Sequence, residues 1–332
     1  MSLAKGRLVI EPQPQPEHAL TPRLLEEACA PWQIAPESLR LVGESENLVY
    51  EGLAEGQARV LRITHHDHRR PADIEAELDF VRFLAQRGQP VCRALPSSVA
   101  REWHAVGDRR IACCFERARG ELAVPSDPER WNERLFQHWG RTLAGFHECA
   151  RVYLPPAGRA ARYQWFEDDL FAGQHLPLQD DDLREQLAEL TVRLRARPTT
   201  ARDYGLIHAD LHDNNFFASA AGELSVFDFD DACQHWYSFD LAVVAHQLPG
   251  TLAERQLIWS AIVAGYAEVA PLPAEFQAEM SLMFRLRSLQ LLQFAHKMLR
   301  RASSPERQAR LRMFAAGLTQ KIRAGEPFDL KP

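Results

Sequence analysis

The hydrophobic pattern of the chain changes period near residue 120. Before that point the apolar positions alternate or fall in short runs. Residues 39–43, 47–53 and 58–63 read as three strands, the last two joined by a short Ala-Glu-Gly turn. Residues 99–106 and 110–115 read as a further hairpin around Gly107 and Asp108. Between them, residues 75–87 carry Leu78, Val81, Phe83, Leu84 and Ala85 at helical spacing, with Gly88 as the stop. A short helix over residues 23–32 precedes the strands, behind a proline-bearing lead-in at 11–22. From Trp131 onward the period is helical. Leu135, Trp139, Leu143, Phe146 and His147 mark one long amphipathic helix, and residues 181–195, 252–268 and 281–301 mark three more. The pattern predicts an α+β chain. A small antiparallel lobe with one inserted helix (residues 1–119) precedes a larger, mainly helical lobe (residues 120–332), with a hinge at residues 116–120.

Composition narrows the function classes. The chain has 332 residues, 46% hydrophobic and 25% charged, enough for two globular lobes. A formal charge of -6 leaves no basic footprint for nucleic acid. No apolar run approaches the roughly 18–20 residues that span a bilayer, so no membrane association is expected. Leu8, Val9 and Ile10 are too short a run for a signal peptide. The six cysteines form no C-x-x-C pair, which points to the reducing cytoplasm. Lysine is scarce: of 39 basic residues only Lys5, Lys297, Lys321 and Lys331 are lysines. A cation that holds phosphate in the first half of the chain must therefore be an arginine.

The chemistry concentrates in His208-Ala209-Asp210-Leu211-His212-Asp213-Asn214-Asn215 and, after an apolar hairpin, Phe227-Asp228-Phe229-Asp230-Asp231. Taken singly, Asp and Asn in turns cap helices or satisfy loop backbone. Taken together, a hairpin flanked by an acid, an amide and a second acid has few structural reasons to exist. One acid can accept a hydroxyl proton while the amide and the other acid hold magnesium, the logic of protein-kinase catalytic loops.

The motif resembles that of the aminoglycoside phosphotransferase and choline kinase family, H-G-D-x-H-x-x-N followed by I-D-[FW]. His208, Asp210, His212, Asn215 and Asp228 match it, Ala209 stands at the usual Gly, and Asp213-Asn214 stand where Pro-Gly is common. The Asp228-Phe229-Asp230-Asp231 variant with Trp236, Tyr237 and Asp240 is similar to a bacterial subgroup near the homoserine kinases and stress-response kinases. The resemblance implies a protein-kinase-like two-lobed fold and an ATP- and Mg2+-dependent phosphotransferase with a small-molecule hydroxyl acceptor. It implies Asp210 as catalytic base and Asn215 and Asp228 as magnesium ligands. Val60 would roof the adenine and Arg62 would take the place of the phosphate-holding lysine, two residues on along the same strand face. Glu77, preferred over Glu75, would position Arg62. Ser45 and Asn47 would offer donors from a phosphate-covering turn, and Phe115 and Glu116 backbone groups to adenine. His208 and Asp240 would brace the loop. His212 would brace it or touch substrate. Asp230 and Asp231 would bind a second metal ion, bind a cationic substrate, or cap the next segment. Trp236 and Tyr237 would line the acceptor pocket. Gly140, Arg141, Leu143, Ala144 and His147 match the family's G-R-x-L-A-x-x-H helix, read as packing.

Two other readings stay open. A stress-response-type Ser/Thr protein kinase would share the loop, although no A-P-E segment follows it. A non-catalytic nucleotide-binding module would explain the arginine in place of lysine.

Overall fold

The computed structural model describes residues 20–177, 180–272, 275–302, 304–325 and 327–332. The lead-in therefore lies outside the described residues up to position 19. The first helix, α1 (Pro22–Cys29), starts where the Thr21 hydroxyl accepts a hydrogen bond from the Leu24 amide. Strands β1 (Arg40–Glu44), β2 (Asn47–Ala54) and β3 (Gln57–His65) follow, then helix α2 (Pro71–Gln86), β4 (Trp103–Val106) and β5 (Arg110–Glu116). They build one antiparallel sheet in the order β1-β2-β3-β5-β4. Alternation along β3 sends Leu61 and Ile63 to one face, where they pack with Ala28, Cys29 and Trp32. Arg62 takes the opposite face, the side of α2. The fourth strand begins at Trp103, later than the alternation suggested. Residues 97–101 instead close a turn in which the Ser97 amide donates to the Arg101 carbonyl at 2.7 Å and Ala100 adopts φ of 57°.

The second lobe opens with α3 (Glu133–Ala150) and α4 (Asp181–Arg195). Four short strands follow: β6 (Tyr204–Ile207), β7 (Phe216–Ala218), β8 (Leu224–Val226) and β9 (Cys233–Trp236). Then come α5 (Tyr237–Gln247), α6 (Leu252–Ala267), α7 (Phe276–Arg301) and α8 (Pro305–Arg323). The α+β, two-lobed architecture is the one the pattern predicts. The additions are the β6–β9 pair, α5 and α8. The helix α5 is buried all round, so its sequence carries no amphipathic period. In α8, Leu311, Ala315, Leu318 and Ile322 do fall on one stripe, under an arginine-rich exterior. Antiparallel pairing of β6 with β9 pins both ends of the segment 208–232, and the β7–β8 hairpin lies inside it. The acidic and amide residues at the hairpin's two ends thereby emerge side by side.

Helices α3 and α6 cross through glycine. A Cβ on Gly140 would lie 1.9 Å from the Ile262 carbonyl oxygen, and one on Gly265 would lie 2.1 Å from that of Gln137. The close approach brings His147, two turns further along α3, against the start of α5. No helix among the described residues is long and apolar enough to cross a membrane. Gly140→Ala should destabilise the protein by about 1–3 kcal/mol, because backbone must move to admit the methyl group. Gly317→Ala, where nothing lies within 4 Å, should instead stabilise α8 by roughly 0.5–1 kcal/mol. Urea denaturation of both variants checks the pair; equal shifts would mean that the α3–α6 crossing is not this tight.

Candidate active site

The loop from His208 to Asn215 is held from below by one carboxylate. Asp240, in the first turn of α5, accepts from the Ala209 amide at 2.7 Å through Oδ1 and from the His208 amide at 3.1 Å through Oδ2. Its Oδ2 also lies 3.0 Å from His147 Nε2, and His147 Nδ1 lies 2.8 Å from the Tyr266 hydroxyl. Asp240 and His147 are fully buried. The His208 ring contacts the Phe227 carbonyl at 3.1 Å, which ties the loop to the second acidic segment. Ala209 adopts φ of +67°, the left-handed region, and this explains why glycine is common there in related motifs.

Above this brace the reactive groups converge. Asn215 Nδ2 donates to the Asp210 carbonyl at 2.8 Å and to Asp210 Oδ2 at 3.1 Å. Asp228, also left-handed with φ of +66°, projects into the cleft between the lobes, and no hydrogen bond from a described residue reaches its carboxylate. Partial removal from water, with the nearby carboxylates of Asp230 and Asp210, pushes the Asp228 carboxyl up to about 7. Such a group fits a divalent cation, which would relieve the crowding of negative charge.

Two cavities flank this point. The first, about 450 Å3, is lined by Val42, Val49, Val60, Val81, Phe115 and Phe227 among others, an apolar slot whose far end holds Arg62 and Glu77. Arg62 donates to both carboxylate oxygens of Glu77, at 2.7 Å each, and only 4% of Arg62 and 1% of Glu77 remain exposed. Glu75 instead accepts from Trp103 Nε1 at 3.2 Å. Phe115 underlies the guanidinium at 5.1 Å. The Glu116 amide is already committed to the Arg93 carbonyl at 2.9 Å.

The second cavity, about 370 Å3, is lined by Ser45, Asp210, His212, Asp231, Arg287 and Phe294 among others. Gly43, Asn214 and Asp228 border both cavities, so the two meet at the acidic centre. Asp210 carries two cationic neighbours here. Arg287 Nη2 donates to Oδ1 at 2.6 Å, and His212 Nε2 lies 3.4 Å from Oδ2. Burial opposes ionisation of Asp210, yet these two partners hold its carboxyl well below the usual carboxylate range. Burial likewise opposes protonation of His212, but Asp210 and Asp213 outweigh it and raise the imidazolium to about 9.

The remaining acids are engaged between the lobes. His68 pairs with Asp230, and Arg69 reaches Asp231 at 2.8 Å and Asp168 at 3.5 Å. Glu46, in the β1–β2 turn, pairs with Lys297 of α7 at 2.7 Å. Three residues are not where the sequence suggested. Asn47 turns into the sheet, where its Oδ1 accepts from the Thr64 hydroxyl at 2.7 Å, and it borders neither cavity. Trp236 packs edge-on against Tyr204, with Arg197 over its ring at 4.9 Å. Tyr237 stacks on His147 at 4.5 Å on the far side of the loop. Neither aromatic lines the second cavity, because β9 and α5 run behind the loop at 208–215. The sequence pattern did not point to Arg287, Lys297, His68 or Arg69. Lys297, His68 and Arg69 act between lobes and Arg287 acts across 77 positions, and an arginine on an apolar helix has no spacing signal.

The chain is similar to known phosphotransferases in sequence and in fold. A family model described as phosphotransferase enzyme family matches residues 38–272. The chain is 30% identical to amicoumacin kinase of Bacillus subtilis (strain 168) over 231 residues, spanning 68% of each protein. Among solved structures, amicoumacin kinase hAmiN in complex with AMP-PNP, Ca2+ and Ami superposes with a TM-score of 0.82 at 26% identity, covering 93% of this chain and 95% of that one. The microcompartment-associated aminopropanol kinase gives 0.71 at 26% identity, over 90% and 97%.

The His212 environment predicts a stability signature. Its folded value of about 9 lies above the ordinary 6.5, so its contribution is fully present below about 6.5 and is lost as pH rises through 9. His212→Gln should therefore flatten the fall in urea midpoint between pH 6.5 and 9.5 that the wild-type protein shows. Parallel slopes for the two proteins would mean that His212 is not charged in the fold.

Proposed function

This chain belongs to the phosphotransferase enzyme family and is a kinase, and we propose that it transfers the terminal phosphoryl group of ATP, with Mg2+, to a hydroxyl of a small amine-bearing molecule. The observation that carries this reading is the junction of the two cavities at Asp228 and Asn214, with Arg62 on one side and Asp210 on the other. The apolar slot fits a purine, and Arg62 at its end fits phosphate. Asn215 and Asp228 would hold the cation. When bound, Mg2+ spreads the negative charge of the phosphates, and ATP supplies the phosphoryl group.

The protein's own groups do the rest by placement. Glu77 fixes Arg62 at the wall of the first cavity through both of its carboxylate oxygens. Asp210 orients the acceptor hydroxyl and takes its proton as the oxygen bonds to phosphorus and the bond to ADP breaks. A carboxyl held so far below the usual range is a weak base, so alignment carries more of the rate than proton abstraction does. The second cavity, closed on one side by Phe294 and Phe314, suits a small molecule better than a peptide chain. The aminopropanol kinase supports an amino alcohol as acceptor.

Asp210→Asn should reduce phosphoryl transfer by about 10²–10⁴-fold while AMP-PNP binding persists. Full turnover by that variant with a good acceptor would remove Asp210 from the chemistry. Asp228→Ala should weaken ATP far more in Mg2+ than in EDTA. Arg62→Ala should weaken ATP far more than adenosine, since only ATP has the phosphates, and calorimetric titration reads both comparisons. Equal losses with ATP and adenosine would make Arg62 a purely structural partner of Glu77.

A further inference from the structure

The second cavity contains a buried guanidinium that phosphoryl transfer itself does not require. Arg287 projects from α7 and is 4% exposed. Its Nη2 donates to Asp210 Oδ1 at 2.6 Å and its Nη1 donates to Gln290 Oε1 at 2.7 Å. Gln290 stands one helical turn further along α7, so the second contact fixes the plane of the fork. A guanidinium offers five N–H donors. These two bonds leave the others idle among the described residues, and Nε is buried without a partner.

Burial of a charge with idle donors is costly unless something completes the set. Arg287 is not the sole partner of Asp210, because His212 Nε2 lies 3.4 Å from its other oxygen. Nor does Arg287 reach the nucleotide side: it borders the second cavity and is absent from the wall of the first. A group that touches the base on one edge and lines the acceptor cavity is placed to read the part of the acceptor next to the reacting hydroxyl.

We infer that Arg287 is a specificity-determining residue that binds an oxygen carried on the carbon beside the reacting hydroxyl, either a carboxylate or an amide carbonyl. The inference rests on the phosphotransfer reading and deepens it. The acceptor hydroxyl meets Asp210, and Arg287 donates to the same carboxylate. An acceptor oxygen that shares the guanidinium therefore lies on the order of 3 Å, one hydrogen-bond length, from the hydroxyl. Oxygens on neighbouring carbons satisfy that span. A planar fork suits a carbonyl or carboxylate oxygen better than a point charge does. The acceptor class is therefore a hydroxy-acyl compound, with the amine of the proposed acceptor at a short remove.

A matched pair of probes tests this: the secondary alcohol aminopropanol, and isoserinamide, in which a carboxamide replaces its methyl group. Phosphorylation of each is followed in the full-length enzyme with ATP and Mg2+, and AMP-PNP binding is measured separately. The wild-type enzyme should favour isoserinamide in kcat/KM by roughly 10- to 100-fold, the range of a hydrogen bond from a charged donor. Arg287→Met should collapse that ratio whatever the absolute rates, with AMP-PNP still bound. Arg287→Lys keeps a charge on Asp210 but loses the fork, and should retain only part of the preference. A wild-type enzyme with no preference, a preference that survives in Arg287→Met, or turnover of neither probe while AMP-PNP binds would each overturn the assignment of Arg287 and leave the phosphotransfer reading standing. Failure of the wild-type protein to bind AMP-PNP would strike that reading instead, and the assignment would fall with it.

Discussion

The arrangement of this site depends on the buried carboxylate of Asp240. It accepts two consecutive loop amides, His208 and Ala209, and is itself held by His147. A carboxylate that accepts from amides in a dry interior makes strong, directional bonds, each worth about 1.5–3 kcal/mol. Removing it would leave two buried amides and the Nε2 of His147 without a partner. The left-handed turn at Ala209 is disfavoured for any residue with a Cβ, and these bonds keep it in place. Through that turn the brace decides where Asp210 points. The glycine-to-glycine crossing of α3 and α6 serves the same end, since it lets His147 and Tyr266 approach from behind.

A second constraint is electrostatic closure between the lobes. The small lobe reaches the second acidic segment through His68 and Arg69, which meet Asp230 and Asp231. Arg162 adds bonds to the Asp230 and Ala232 carbonyls and to Asp73 at the start of α2. The β1–β2 turn is drawn towards α7 by Glu46 and Lys297, and Lys297 also meets Asp169 at 3.0 Å. The acids after Asp228 therefore have cationic partners from the other lobe, and Asp228 is left facing the cleft. The pairs are largely desolvated, so their worth lies in fixing geometry more than in net stability.

The arginine at position 62 fits this economy of charge. A planar guanidinium can satisfy both oxygens of Glu77 and still present an unused edge, which an ammonium on a flexible stem does less well. Phe115 beneath it narrows its motion further. At the second cavity Arg287 repeats the device, with Gln290 fixing the fork and Asp210 receiving one arm. Both cavities are thus bordered by a guanidinium whose orientation another residue sets.

The sequence by itself determined the architecture and the ordering of the reactive groups. The switch from short alternating runs to helical period near residue 120 gave the two lobes, because burial on a sheet face and on a helix face impose different periods. The spacing of Asp210, Asn215 and Asp228 around an apolar hairpin exposed the acidic centre, since local chain geometry alone brings hairpin ends together. The pairing of Arg62 with Glu77 was within reach for a similar reason: alternation on one strand and register on the next helix fix both faces. Helix α5 was not legible, because a helix buried on every side has no polar period. Trp236 and Tyr237 look like pocket aromatics in sequence, yet the tertiary structure sends them behind the loop, and Asn47 is drawn into the sheet by Thr64. Only the tertiary structure placed Arg287 on Asp210 and Lys297 on Glu46. Those contacts span 77 and more than 200 positions and are made by α7, whose angle across the lobe is set by packing and leaves no mark in the local pattern.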